Sequence, residues 1–259
     1  MNLFHARRYL DYILFSRHWR GHGVHSPFIF EIVTGLFRNK IPGDFVCCIE
    51  TIRKNLIKDS RLISVNDLGA GSAKNKKVRK VSEIASKSAV TAKYGALLHN
   101  LASRFGEPCT VELGTSFGIS TMYLAYASPV VYTVEGCSEC TGIAGKNFAS
   151  GGLENITIIN SPFSEAIADL KNTGIRPGLV FIDGDHRKEP LLRNVRELMS
   201  ISDDNTVIVL DDINYSREMA DTWEQVKNME NVTATIDIFR MGIVFLRKEI
   251  TRNHYRIRY

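Results

Sequence analysis

From Cys109 to Lys248, short apolar runs alternate with segments of helical spacing, and this alternation constrains the fold more than any other feature. The runs are CTVELG (109–114), VVYTVE (130–135), ITIIN (156–160), GLVFID (178–183) and TVIVLD (206–211). Between the first two lies TSFGISTMYLAYAS, with Ile119, Met122, Tyr123 and Tyr126 at helical spacing. CSECTGIAGKNFASGG reads as a helix closed by Gly151 and Gly152, and SPFSEAIADLKNTG as one with Ser161 as N-cap and Pro162 at the first position. Residues 188–200 and 214–229 also read as helices, and VTATIDIF and GIVFLRK flank Arg240-Met241-Gly242 as a closing antiparallel pair. The pattern predicts an α/β fold with a doubly wound, mainly parallel sheet of seven strands. Ligands of such sheets bind at the carboxyl ends of the strands, which says where to look for chemistry.

Residues 1–93 read instead as a mostly helical N-terminal extension without strand–helix alternation, turning at Gly21-His22-Gly23, Ile41-Pro42-Gly43 and Asp67–Ser72. The tail, 251–259, is basic and aromatic, with no clear structure. Residues 1–100 carry 17 basic and 7 acidic side chains, the remaining 159 carry 16 and 21, and the net +5 is too mild to require a nucleic-acid partner. No apolar run is long enough to cross a bilayer, and the N-terminus lacks the apolar stretch and small-residue cleavage site of a secretory signal. Five cysteines without framework spacing read as reduced thiols in a cytoplasm.

Two segments offer a glycine turn beside an acid, Asp67–Ser72 and Glu112-Leu-Gly-Thr-Ser-Phe-Gly-Ile-Ser120. A nucleotide site also needs a following strand that ends in an acid able to accept from ribose hydroxyls. VVYTVE supplies it at Glu135, whereas the segment after Asp67 reads as two helices. Residues 112–120 are therefore the expected site, and 67–72 a connecting turn or an anion-holding nest beside Lys74, Lys76 and Lys77. Gly114 and Gly118 allow a sharp turn and close approach to a ligand, Thr115, Ser116 and Ser120 offer hydroxyls, and the helix N-terminus adds amide donors.

VELGTSFGISTMYLA followed by YTVE resembles the S-adenosylmethionine site of class I methyltransferases, and more narrowly that of small-molecule O-methyltransferases related to catechol and caffeoyl-CoA O-methyltransferase. The resemblance implies a Rossmann-like methyltransferase domain over residues 94–250, with the extension as a substrate lid. It implies that Gly114, Ser116, Gly118 and Ser120 line the methionine part of the cofactor, with Glu112 and Thr115 also expected among the cofactor-binding residues. Glu135 would hold the ribose, Phe163 would edge the adenine, and Asp183 would lie near the methionine end.

FIDGDHRKEP places Asp183, Asp185 and His186 after the fourth run, and VIVLDDINYS places Asp211 and Asp212 after the fifth. Asp183, Asp211 and Asp212 would suit a hard divalent cation such as Mg²⁺. The cation-dependent relatives hold their metal with a matching set in which Asn stands where this chain has Asp212. The bland reading makes these acids helix caps. His186 stands where those relatives carry a catalytic lysine, and its imidazole suits a general base for the acceptor hydroxyl.

Weaker signals remain. His18, His22 and His25 form a loop without companion ligands, expected near the substrate entrance, with Trp19 and Phe28 as substrate contacts. Cys137 and Cys140 form a lone C-x-x-C read as core or helix-start thiols. The expected function is methyl transfer from S-adenosylmethionine to an oxygen of a small molecule, anionic or neutral, with His186 and Asp183 as the catalytic pair. An RNA or protein methyltransferase using the basic extension, and a non-catalytic cofactor-binding scaffold, are the alternatives. A homodimer is left open, and membrane insertion is not expected.

Overall fold

Parallel strands covered on both faces need apolar side chains at every position, and the runs read above are such strands. The computed structural model of the protein describes residues 3–16, 20–65 and 77–259. In chain order the elements are α1 (Leu3–Phe15), α2 (Pro27–Thr34), a 3₁₀ turn (Leu36–Arg38), α3 (Gly43–Lys58), β1 (Leu62–Val65), β2 (Lys77–Lys80), α4 (Val81–Ser88), α5 (Ala92–Phe105), β3 (Thr110–Leu113), α6 (Ile119–Ala125), β4 (Val131–Val134), α7 (Ser138–Ser150), β5 (Ile156–Ile159), α8 (Phe163–Asn172), β6 (Leu179–Ile182), α9 (Lys188–Ser200), β7 (Val207–Leu210), α10 (Arg217–Lys227), β8 (Ala234–Asp237), β9 (Gly242–Phe245) and β10 (Asn253–Arg256). Every residue of β3, β6, β7, β8 and β9 is buried.

The chain forms two compact units, residues 40–177 and residues 1–39 together with 178–259. In the continuous unit, β3, β4 and β5 run parallel, with β4 in the middle. β1 and β2 pair antiparallel in the same unit. This hairpin corrects the reading of the segment after Asp67 as two helices and no strand. Its second strand, KVRK, is too charged to register as a strand by apolar pattern. Asp67–Ser72 and Lys74 and Lys76 lie outside the described residues.

In the discontinuous unit the strand order is β10-β8-β9-β7-β6. β6 and β7 are parallel, β9 is antiparallel to both β7 and β8, and β10 is parallel to β8. The arrangement is thus mainly parallel, as expected, but β3 to β10 make eight strands where the sequence marked seven. The addition is β10, in the tail that carried no apolar alternation. It buries Tyr255, and Ile257 follows it into the core.

Residues 3–16 pack on this tail and on the β8–β9 turn. His5, Tyr9 and Tyr12, on one face of α1, surround the Phe239 ring with centroids 5.1, 5.0 and 5.3 Å away. The Tyr12 hydroxyl donates to the Ile257 carbonyl at 2.6 Å and accepts from the Tyr259 amide at 2.9 Å. One helix start differs from expectation. α8 has Pro162 as its N-cap, and Ser161 turns its hydroxyl to Glu165 instead of capping.

Candidate functional site

In the continuous unit the candidate site grows from the register of β3 and β4. Leu113 pairs with Val134, so the turn after β3 and the acid after β4 emerge side by side. The amides of Gly114 and Thr115 both reach the Val134 carbonyl, at 2.9 and 3.3 Å. The chain then takes positive φ at Gly114 (104°), Ser116 (47°) and Gly118 (84°) before entering α6. The Glu135 carboxylate closes the turn. Oε2 accepts from the Ser116 amide and Oε1 from the Cys137 amide, both at 2.9 Å. Asn160 donates to the Glu135 carbonyl at 2.6 Å, bringing the end of β5 to the same edge. Burial raises the Glu135 pKa, against the amide hydrogen bonds that lower it.

This donor set fits the ribose end of a nucleoside cofactor. The Ser116 and Cys137 amides each engage one Glu135 oxygen and the Gly136 amide adds a further contact, which leaves acceptor capacity for a sugar hydroxyl. Gly114 and Ser116 in the turn are half-buried, and so is Phe163 at the start of α8. The Ser116 hydroxyl lies 3.1 Å from that of Ser88 on α4.

Other residues expected on the cofactor lie beneath the turn, and their side chains hold it from below. Glu112 is 0% exposed and Thr115 1%. Glu112 Oε2 accepts from the hydroxyls of Thr121 and Thr133, and Thr133 is also 2.6 Å from the Thr115 hydroxyl. Oε1 has no partner at hydrogen-bond geometry, although the Ser120 hydroxyl is beside it. Burial raises the Glu112 pKa, three hydroxyls oppose that, and the Glu135 charge adds to it. Gly118 meets the Phe148 ring. Cys137 and Cys140 are buried at the start of α7, where the neighbouring thiol and then burial push Cys140 upward.

The discontinuous unit carries the acidic cluster. Ile182 pairs with Leu210, so Asp183 and Asp211 leave β6 and β7 level with one another. Leu210 also pairs with Gly242, which places Arg240 just past the end of β7. Arg240 grips Asp211 through Nε at 2.9 Å and Nη2 at 2.7 Å, and the Asp211 side chain is 0% exposed. Asp212 lies 3.9 Å from the same guanidinium. Its carboxyl is raised by burial and by the Asp211 charge, against Arg240, His186 and His5. Burial opposes the Arg240 charge, but Asp211 more than offsets this and raises its pKa.

Asp185 is locked to Arg187 at 2.7 and 3.1 Å. His186 is half-buried, with its ring 6.0 Å from that of Tyr215. Asn214, just past Asp212, is held by Arg8 at 2.9 Å and by His5 at 3.3 Å. Arg240, Asn214 and Tyr215 were not singled out by sequence. Arg240 sat in the recognised hairpin turn, but its partner is fixed only by the β7–β9 register.

The cation reading of Asp183, Asp211 and Asp212 does not fit this arrangement. Both Asp211 oxygens are engaged by a guanidinium, and among the described residues no three His, Cys, Asp or Glu side chains are placed to hold a metal ion. The histidine loop also differs from expectation. His18 and Trp19 lie outside the described residues. Phe28 packs edge-on to Phe245 with Arg247 4.8 Å over its ring, beside a cavity of about 590 Å³ that includes His25. Phe245 pairs with Val207, at the amino end of β7, so Phe28 sits at the opposite end of that strand from Asp211.

Four non-glycine residues take positive φ among the described residues: Ser116, Asp185, Asp212 and Phe239. Each follows the carboxyl end of a strand, β3, β6, β7 or β8, within three residues. Backbone strain of this kind gathers where a fold holds groups for function.

Residues 111–213 match the model of a family described as Methyltransferase domain. No curated protein matches the sequence. Among solved structures, cofactor-bound Rv0187 from MTB is similar at 17% identity and TM-score 0.60, over 95% of this chain and 98% of that one. The O-methyltransferase from Bacillus cereus in complex with SAH gives 16% and 0.57, over 84% and 97%. TomG from Streptomyces achromogenes, an O-methyltransferase of tomaymycin synthesis in complex with SAM, gives 20% and 0.55, over 62% and 82%. These likenesses are of fold. No helix among the described residues is long and apolar enough to cross a membrane.

Proposed function

We propose that this chain, which carries a class I methyltransferase domain, transfers a methyl group from S-adenosylmethionine to an oxygen of a small-molecule acceptor. The observation that carries the reading is Glu135, fixed by the amides of Ser116 and Cys137 at the edge of a turn with three positive-φ residues. When bound, the cofactor supplies a methyl group made electrophilic by a sulfonium sulfur. Glu135 accepts from its ribose hydroxyls, Gly114 and Ser116 line its methionine part, and Phe163 edges its adenine. Glu112, Thr115, Gly118 and Ser120 keep that turn in shape.

His186 and Asp183 are assigned to the acceptor. The bound cofactor would supply the methyl group to the acceptor oxygen and be left as a neutral thioether, and the His186 imidazole takes the acceptor's O–H proton. Asp183 orients the acceptor. The remaining rate gain comes from alignment. The two solved structures named above as O-methyltransferases support oxygen as the acceptor atom.

Calorimetric titration with S-adenosylhomocysteine tests the cofactor half. Wild type is expected to bind near about 1–100 μM and Glu135→Ala at least roughly tenfold more weakly, a loss of about 1.4 kcal/mol or more. His186→Ala should keep that affinity and lose about 10²–10⁴ in turnover on any acceptor found by screening. Wild type that binds no S-adenosylhomocysteine removes the proposal.

A further inference from the structure

We infer that the Arg240 guanidinium takes the place of a divalent cation among Asp183, Asp211 and Asp212, so that the acceptor is held by side chains instead of by chelation. The first half stands on geometry alone, and the second rests on the methyl-transfer reading.

Asp211 is the acid that a cation at this edge would need most, because it is level with Asp183 and adjacent in sequence to Asp212. Its carboxylate is already engaged at both oxygens. Oδ1 accepts from Arg240 Nε at 2.9 Å and from the Asp212 amide at 2.9 Å, and Oδ2 accepts from Arg240 Nη2 at 2.7 Å. A Mg²⁺ ion binds oxygens at about 2.0–2.1 Å in near-octahedral array and would need the same lone pairs. It would also bring two charges against a third that the protein cannot discharge, since an arginine does not deprotonate.

The guanidinium is built in. Its backbone is fixed on two sides, with the Arg240 amide donating to the Ile238 carbonyl at 2.9 Å and the Arg240 carbonyl accepting from the Ile213 amide at 3.1 Å. The second bond ties Arg240 directly to the loop that carries Asp211 and Asp212. The planar fork meets Asp211 in the two-point geometry that arginine favours. A cation that gathers two adjacent acceptor oxygens has no counterpart in this arrangement. A single hydroxyl, oriented by side chains, meets its requirements as well as an adjacent pair.

The test titrates the full chain with Mn²⁺ alone and follows free ion by EPR, with near-UV circular dichroism to verify folding. Wild type is expected to leave Mn²⁺ free up to about 1 mM. Arg240→Gln and Arg240→Ala expose the carboxylates and should bind it at least about tenfold more tightly, an effect erased by adding Asp211→Asn. Arg240→Lys, which keeps the charge, should behave as wild type. If Arg240→Ala fails to fold, the near-isosteric Arg240→Gln carries the comparison.

The inference is overturned by wild type that binds Mn²⁺ below about 100 μM and loses it in Asp211→Asn. It is equally overturned by folded Arg240 variants that bind no better than wild type. None of these arms uses cofactor or turnover, so failure of the methyl-transfer reading shows separately, in S-adenosylhomocysteine binding. Once an acceptor is found, matched compounds with one hydroxyl and with two adjacent hydroxyls should turn over within about tenfold of each other. A strict need for the adjacent pair, abolished by EDTA, overturns the second half.

Discussion

A single methyl group at Gly118 tests whether the glycine turn is as tightly determined as its geometry implies. A Cβ there would lie 2.3 Å from Phe148 Cε1 and 2.6 Å from Cζ, where ordinary contact begins at 3.4 Å. Phe148 is 4% exposed and cannot swing into solvent, so its ring would have to retreat by about 1 Å through a close-packed core. Overpacking of this kind costs about 1–3 kcal/mol. Gly118 also sits at φ 84°, and that region costs an L-residue about 1–2 kcal/mol. Gly118→Ala is therefore expected to lose about 2–5 kcal/mol in urea unfolding. The two parts can be separated with Phe148→Leu, which removes the offending ring edge but leaves the backbone strain. In a double-mutant cycle the pair should cost less than the sum of the singles by about 1–3 kcal/mol. A Gly118→Ala loss under about 0.5 kcal/mol, or strict additivity with Phe148→Leu, would refute the reasoning.

Three further outcomes are expected. Burial raises the Glu112 pKa above the 4.5 of an unperturbed side chain, so its contribution to stability is fully present below 4.5 and lost as pH rises through the folded value. Wild type should therefore weaken relative to the non-titrating Glu112→Gln as urea unfolding is repeated from about pH 5 to pH 8, and a pH-independent gap would contradict this. Arg240→Ala leaves the fully buried Asp211 carboxylate unpaired and should cost about 3–5 kcal/mol in chemical denaturation, partly recovered by adding Asp211→Asn. Tyr12→Phe removes the donor to Ile257 and the acceptor for Tyr259, and should cost about 1–2 kcal/mol and speed proteolysis of the C-terminal segment.

The sequence is informative where local pattern and burial coincide. β3, β6 and β7 are wholly buried, so their apolar runs are continuous, and the helices between them carry their own punctuation, such as Gly151 closing α7. β2 and β10 are KVRK and NHYR, short strands with exposed charge, and no apolar pattern reveals them. The site divides the same way. Glu135 could be read because it ends a strand next after a glycine turn. That Glu112 points inward could not be read, because a strand buried on both faces gives no sign of which face a side chain meets. Arg240 and Asp211 are 29 residues apart, and Arg8 and Asn214 are 206 apart. Such pairs exist only through register and tertiary packing, which one sequence without partners does not encode in any local signal.

The discontinuous unit has a consequence for synthesis. Its first piece ends at Asn39 and its remainder starts at Gly178. On a ribosome, α1 and α2 emerge before residues 40–177, but Ile257 and Phe245, the partners of Tyr12 and Phe28, follow them. At about 5–20 residues per second, roughly 10–45 s separate the two. Residues 40–177, a continuous unit, are synthesised within that interval, while Tyr12 and Phe28 wait for these partners. The nascent chain is thus exposed to chaperones and to aggregation through α1 and α2 until those partners arrive.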